Sequence, residues 1–284
     1  MKTLLVLLTA LLSLGTGHER SEVSEKEDIR KTLTFPAGGP SNQVLVDNIS
    51  GSIHVVGYDG SEIQLLAHRT SYGASLEKLK EAKEKITLDI RQEPGKIIFY
   101  VNTPWRCENG KLSYQQRDDD GFDADFDFEL KVPAASDFTL KTVNKGTISV
   151  TNMQGAFEVH NVNGGIEMSG ITGAGDAATV NGDVIVGFRE NPGASCVFAT
   201  VNGSIEVQVP GPLSADLKFK TFNGDMYSDF QVAGMPQSMS APRKIGRRTV
   251  YRGGEFTSVR AGNGGPELRF ETLNGDIRIL RNHQ

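Results

Sequence analysis

The stretch Thr179-Val180-Asn181-Gly182-Asp183-Val184-Ile185-Val186 decides the fold, because it recurs. Thr200 to Val207 reads Thr-Val-Asn-Gly-Ser-Ile-Glu-Val, Thr221 to Met226 reads Thr-Phe-Asn-Gly-Asp-Met, and Thr272 to Ile279 reads Thr-Leu-Asn-Gly-Asp-Ile-Arg-Ile. Two looser copies come earlier. Thr142 to Val150 has Lys145 wedged between Asn144 and Gly146, and Asn161 to Met168 carries Asn161 in the Thr place. A repeat of this kind sets the architecture before any local motif is read.

Asn and Gly enter positive-φ conformations at the lowest cost, so Asn-Gly marks a sharp corner. The pairs Asn163–Gly164, Asn181–Gly182, Asn202–Gly203, Asn223–Gly224 and Asn274–Gly275 are therefore read as structural corners. Residues after each corner alternate. Ile166 and Met168, Val184 and Val186, Ile205 and Val207, and Ile277 and Ile279 share one face, while Glu167, Ile185, Glu206 and Arg278 take the other. That is the period-two pattern of a half-buried strand.

Spacing separates two architectures. Asn144 to Asn163 is 19 residues, to Asn181 a further 18, to Asn202 a further 21 and to Asn223 a further 21. A meander of hairpins turns about every 8–12 residues, whereas a parallel solenoid needs one coil of roughly 20 residues with the same corner each time. The expectation is an all-β, parallel β-solenoid or β-helix-like fold, with an antiparallel sandwich or meander as the alternative. Stacked Asn and Thr would then hydrogen-bond from coil to coil.

Outward from the repeats, residues 1–17 read as a signal peptide: Lys2, an apolar run from Leu4 to Leu14, then Gly15-Thr16-Gly17. The run is shorter than the roughly 20 residues of a membrane span, so the mature chain is expected to carry no transmembrane span and to be periplasmic, outer-surface or secreted. Residues 18–30 are charged and read as a flexible leader. Residues 31–284 read as a single elongated solenoid domain, strongest over 137–280.

Ser75 can cap a short helix with Leu76, Leu79, Ala82 and Ile86 near one face. A hairpin around Pro94-Gly95 follows. Phe122, Ala124, Phe126, Phe128 and Leu130 alternate with Asp123, Asp125, Asp127 and Glu129, a strand with one apolar and one acidic face. A calcium site over Asp118, Asp120, Asp123 and Asp125 is a candidate; a helix-loop-helix calcium loop with its sixth-position glycine at Gly121 would need an acidic first ligand where Gln116 stands, and a solvated acidic face is the preferred reading. Beyond calcium, no cofactor is implied.

Between Asn223 and Asn274 lie 51 residues, so an excursion over residues 229–268 replaces the regular coil. Val232 to Pro242 reads as irregular, and Pro242 to Arg252 is basic through Arg243, Lys244, Arg247, Arg248 and Arg252. An anion or polysaccharide contact there competes with a solvated loop, which is preferred because only Tyr251 supplies an aromatic.

The 284 residues carry a formal charge of -5, which argues against generic nucleic-acid binding. Cys107 and Cys196 would meet an oxidising compartment and are candidates for a disulfide. The sequence leaves that pairing open, since the Cα atoms must come within about 7 Å. His18, His54, His68, His160 and His283 are scattered without metal-ligand spacing. Asp183, Asp225 and Asp276 follow three corners and could align as an acidic ladder; solvated turn residues are the preferred reading.

At the repeat block the chain resembles the bacterial "putative adhesin" family, a domain of unknown function related to the head GIN domains. The resemblance rests on the apolar leader, the helix with its Pro-Gly hairpin, Leu-Lys-Val-Pro at Leu130 to Pro133, and the serial Thr-Val-Asn-Gly-Asp-Ile-type units. It covers residues 31–280. It implies a right-handed β-solenoid-like fold and a cell-envelope location, with no established activity and no catalytic motif to carry over. This chain departs from it at Lys145 and in the long excursion. The functional expectation is a non-enzymatic envelope protein that binds surface polysaccharide or an envelope protein, or that scaffolds. A polysaccharide lyase or hydrolase and a self-assembling structural protein are the alternatives, and oligomeric state is left open.

Overall fold

A computed structural model describes residues 23–106, 121–234, 243–245, 248–250 and 256–282. The expected signal peptide lies outside the described residues. The chain is all-β and solenoid-like apart from one helix. It divides into two compact units, Met1–Gly146 and Thr147–Gln284.

In unit 1, β1 (Val23–Thr34), β2 (Gln43–Asp47), β3 (Ile53–Tyr58) and β4 (Glu62–Gly73) precede helix α1 (Leu76–Lys85); β5 (Thr87–Glu93), β6 (Lys96–Asn102), β7 (Phe122–Pro133) and β8 (Asp137–Lys141) follow. One sheet runs β1-β4-β7-β3 and the other β5-β6-β2-β8. The flexible-leader expectation is corrected for Val23 to Arg30, which form most of β1, paired antiparallel with β4 from Val23↔Gly73 to Thr34↔Glu62. Its charges find partners distant in sequence: Glu25 on Lys83 at 2.7 Å, Glu27 on Arg69 at 3.2 Å and Asp28 on His68 at 2.7 Å.

Helix α1 begins where Ser75 Oγ accepts the Lys78 N–H at 3.2 Å. Leu79, Ala82 and Ile86 are buried, and the helix packs over β4, β7 and β1. Leu76, expected on the same face, is 74% exposed because it sits in the first turn beyond the sheet contact. β5 and β6 form the antiparallel hairpin around Pro94-Gly95.

The parallel pairs give unit 1 its solenoid character. β2 lies between β6 and β8, and β3 lies beside the C-terminal half of β7. Chain order and spatial order therefore differ, since the β2–β3 rung pairs with strands 53 or more residues later, Gln43 with Lys96 and Ile53 with Phe128. Val44, Val46, Ile53, Val55, Phe99, Phe126 and Phe128 form the core.

In unit 2, β9 (Ile148–Thr151), β10 (Phe157–His160), β11 (Ile166–Ile171), β12 (Gly175–Ala178), β13 (Val184–Phe188), β14 (Cys196–Ala199), β15 (Ile205–Val209), β16 (Ala215–Lys220) and β17 (Met226–Ser228) wind alternately between two sheets. Then come β18 (Val232–Gly234), β19 (Arg243–Ile245), β20 (Arg248–Val250), β21 (Thr257–Ala261), β22 (Glu267–Glu271) and β23 (Ile277–Arg281). The first sheet is parallel throughout, in the order β9-β11-β13-β15-β23-β17. The second is parallel over β10-β12-β14-β22-β16 and ends in antiparallel β21 and β18.

The last rung, β22–β23, does not end the stack. It enters between the β14–β15 rung and the β16–β17 rung. The corner bridges follow the same order: Asn163, Asn181, Asn202, Asn274, then Asn223. Part of the excursion expected to be irregular is ordered. Val232–Gly234 forms β18, and two three-residue strands of the basic segment pair as a separate ribbon, Arg243↔Val250 to Ile245↔Arg248.

Corner glycines are required by close stacking. A Cβ on Gly203 would lie 2.0 Å from the Gly182 carbonyl oxygen and 2.5 Å from its carbon. Gly203→Ala is expected to destabilise by about 1–3 kcal/mol, the range for forced overpacking. Gly193, where a Cβ meets nothing within 4 Å, is the control, with Gly193→Ala staying within about 0.5 kcal/mol. Denaturant midpoints check both; equal midpoints would contradict the stacking.

Candidate functional site: the corner wall of unit 2

Each rung of unit 2 turns through the same bend, so like residues form columns along the stack, about 4.8 Å apart. The Asn column is a chain of side-chain amide bonds. Nδ2 of Asn181 donates to Oδ1 of Asn163 at 2.8 Å, Asn202 to Asn181 at 2.8 Å, Asn274 to Asn202 at 2.7 Å and Asn223 to Asn274 at 2.7 Å. The Thr column bonds to backbone. Thr179 Oγ1 donates to the Gly164 carbonyl, Thr200 to Gly182, Thr272 to Gly203 and Thr221 to Gly275, at 2.8–3.0 Å.

The positions after the corner glycines also interlock. Asp183 Oδ1 accepts the Ser204 N–H at 2.7 Å, Ser204 Oγ accepts the Asp276 N–H at 3.3 Å, and Asp276 Oδ1 accepts the Asp225 N–H at 3.1 Å. Arg278 donates to the second Asp276 oxygen at 2.7 Å. These carboxylates are thus engaged by backbone donors and an arginine rather than converging on a common point.

One column has no partner within the wall. The residue between Thr and Asn points outward: Val180 and Val201 are each 38% exposed, Leu273 46% and Phe222 73%. In spatial order the side chains grow from valine to leucine to phenylalanine. Strand parity could have located this column in the sequence, since Phe198 and Thr200 face inward and Val201 must then face out.

Beside the column lies a groove of about 410 Å³, lined by Thr200, Val201, Lys220, Phe222, Glu271 and Leu273, among others. Its one carboxylate, Glu271, accepts from Lys220 at 2.5 Å and from Arg269 at 3.0 Å. The Lys220 hydrogen bond, with Arg269 assisting, holds that carboxyl below its usual range. The Phe256 ring lies 5.4 Å from Lys220 Nζ and 4.3 Å from the Arg269 guanidinium. Unit 1 has a groove of about 560 Å³ whose lining includes Arg30, Lys31, His54, Gln64, Glu129 and Lys131. Among the described lining residues each groove offers one carboxylate, Glu129 or Glu271, rather than the flanking acid pair of glycoside hydrolysis.

Other sequence candidates are placed as follows. Asp118, Asp120 and Cys107 lie outside the described residues, as do Arg247 and Arg252. Asp125 is bound by Lys145 at 3.0 and 3.2 Å, so the lysine inserted between Asn144 and Gly146 pairs with one carboxylate of the acidic strand. Asp123 Oδ1 accepts from the Ala124 N–H, and Asp127 Oδ1 accepts from Ser52 N and Oγ at 2.8 and 2.7 Å. Among the described residues no three acidic, His or Cys side chains are grouped to hold a metal ion. Cys196 is a free buried thiol that donates to the Ala194 carbonyl, and burial pushes its pKa up to about 11. Among the described residues no helix is long and apolar enough to cross a membrane.

The known structures similar to this chain are distant likenesses, among them the following three. A "putative cell adhesion protein" from Clostridium sporogenes ATCC 15579 is 11% identical, with a TM-score of 0.43, covering 90% of this chain and 100% of that one. A "putative adhesin" from Bacteroides fragilis NCTC 9343 is 10% identical, with a TM-score of 0.37 and coverage of 90% and 97%. A "putative lipid binding protein" from Parabacteroides distasonis ATCC 8503 is 8% identical, with a TM-score of 0.28 and coverage of 90% and 97%. No residue assignment passes from them to this chain. No curated protein matches the chain at a significant level. The profile of the Toastrack DUF4097 family matches residues 40–250. With that match spanning most of the corner wall and the hairpin-and-helix region before it, the chain belongs to the Toastrack DUF4097 family.

Proposed function

We propose that this chain is a non-enzymatic, exported envelope protein that binds a surface polymer along the corner wall of unit 2. One observation carries the reading: the apolar column of Val180, Val201, Leu273 and Phe222 stands exposed beside polar columns whose hydrogen bonds are already made within the wall. An exposed aliphatic-aromatic stripe of this kind marks a contact surface. Its repeat of about 4.8 Å per rung is comparable to the length of one sugar ring. The C–H face of an extended polysaccharide can lie over Phe222 and Leu273, with Lys220 and Glu271 at the groove margin within reach of its hydroxyls.

The test is binding of the purified protein to fractionated envelope polysaccharide and envelope protein. The double variant Phe222→Ser, Leu273→Ser is expected to lower binding by about tenfold or more, as for loss of anchor contacts. Its melting temperature should be unchanged, because neither side chain is buried. Retained polysaccharide binding in the double variant, or binding only to the protein fraction, would refute this assignment.

A further inference from the structure

We infer that Asn223 is a site of spontaneous conversion to aspartate and isoaspartate, and that the ladder shields Asn163, Asn181, Asn202 and Asn274 from the same reaction. The five residues share one chemistry, since each is followed by glycine. In the reaction the backbone nitrogen of the glycine loses its proton to hydroxide and attacks Cγ of the asparagine side chain. The bond from Cγ to Nδ2 breaks and ammonia leaves. Water then opens the resulting succinimide at either carbonyl, giving aspartate or an isoaspartate whose main chain runs through Cγ. No redox partner is needed, and water is the co-reactant.

The wall occupies both reacting groups at four of the five sites. Gly164 N donates to the Asn181 carbonyl, Gly182 N to Asn202, Gly203 N to Asn274 and Gly275 N to Asn223, at 2.9–3.0 Å. Asn163, Asn181, Asn202 and Asn274 each accept an amide proton at Oδ1 from the next rung. Those bonds fix the side-chain carbonyl and hold the nucleophilic nitrogen as a donor.

The β16–β17 rung has no further rung beyond its corner among the described residues. No described group accepts from the Gly224 N–H or donates to Asn223 Oδ1. The Asn223 side chain retains only the bond from its Nδ2 to Asn274 among the described residues, while its backbone N–H and carbonyl bond to Leu273 and Gly275. Asn223 and Gly224 are both exposed, so hydroxide and water reach them. The identity of the unguarded site follows from the rung order. Had the stack followed the sequence, the unguarded corner would be Asn274.

The test incubates the folded full-length chain at mildly alkaline pH. Peptide mapping by mass spectrometry, with fragmentation that distinguishes isoaspartate, then reads each site. Asn223 is expected to convert at least about tenfold faster than Asn181, Asn202 and Asn274, since conversion there does not require a Gly N–H hydrogen bond to break. In denaturant the five sites should converge to similar rates, which separates the effect of the fold from that of local sequence. Asn263–Gly264, where Gly264 N donates to the Ala261 carbonyl at 3.1 Å, serves as a bonded comparison outside the wall. Equal folded-state rates at all wall sites, fastest conversion at Asn274, or no conversion at Asn223 would each overturn the assignment.

Discussion

Removing Thr257 to Gln284 is expected to abolish cooperative unfolding of unit 2, a much larger effect than the loss of a terminal rung. The deleted strands sit inside the stack. β23 pairs with both β15 and β17, and β22 with both β14 and β16. Leu268, Phe270, Ile277 and Ile279 are fully buried. Burial at about 1.5–3 kcal/mol per side chain puts roughly 6–12 kcal/mol on these four alone, an upper range because unfolded chains already bury some surface. That rivals the whole stability of an ordinary domain, about 5–15 kcal/mol. Calorimetry should show the unit 2 transition lost, and hydrogen exchange should show Ile205–Val209 and Ala215–Lys220 unprotected. A synthetic peptide covering Thr257 to Gln284, added in trans, should restore protection to both. Unchanged protection in the truncated chain would mean that the slot does not depend on its occupant.

Phe270→Ala should cost about 3–5 kcal/mol, the upper end for a single core truncation. The ring is fully buried in the intercalated rung and lies between two others, with centroids 5.5 Å from Phe198 and 5.3 Å from Phe219. The three rings come from rungs that are spatial neighbours although Phe219 precedes Phe270 by 51 residues. Truncation removes the burial and two ring contacts, each worth about 0.5–1.5 kcal/mol beyond area. Phe270→Leu keeps most of the volume and should cost less than half as much. Urea titration of the two variants gives the comparison. A loss below about 1 kcal/mol for the alanine variant would place the ring outside the core.

The corner wall was legible because its signal is local and periodic. Asn-Gly bends 18–21 residues apart favour parallel coils over hairpins, and the inward positions Ile166, Val184, Ile205 and Ile277 are buried as their parity requires. The Ser75 cap and the Pro94-Gly95 hairpin were legible for the same reason. Spatial rank was not. Thr272-Leu273-Asn274-Gly275 carries the same signature as its neighbours, and nothing in those residues says which slot they fill. β1 was hidden because a strand of charges acquires its partners, Lys83, Arg69 and His68, only after the helix and β4 are in place. The exposed apolar column was masked by the repeat signature. That signature consists of the Asn, Thr and Asp that the wall consumes, while the intervening Val201, Leu273 and Phe222 reach the outside.

The out-of-sequence rung also bears on how the chain reaches its native state. Thr221-Phe222-Asn223-Gly224 is made before Thr272-Leu273-Asn274-Gly275 and offers the same corner to the exposed edge of β15. A nascent chain can therefore zip β17 directly onto β15, in a register as regular as the correct one, and must separate them again before the C-terminal strands can enter. Near-degenerate pairing of this kind is a source of kinetic traps, and closure between strands so far apart in sequence is slow. Productive maturation must wait for Glu267 to Arg281 to be made, which leaves every shorter nascent chain with a sticky, half-open stack.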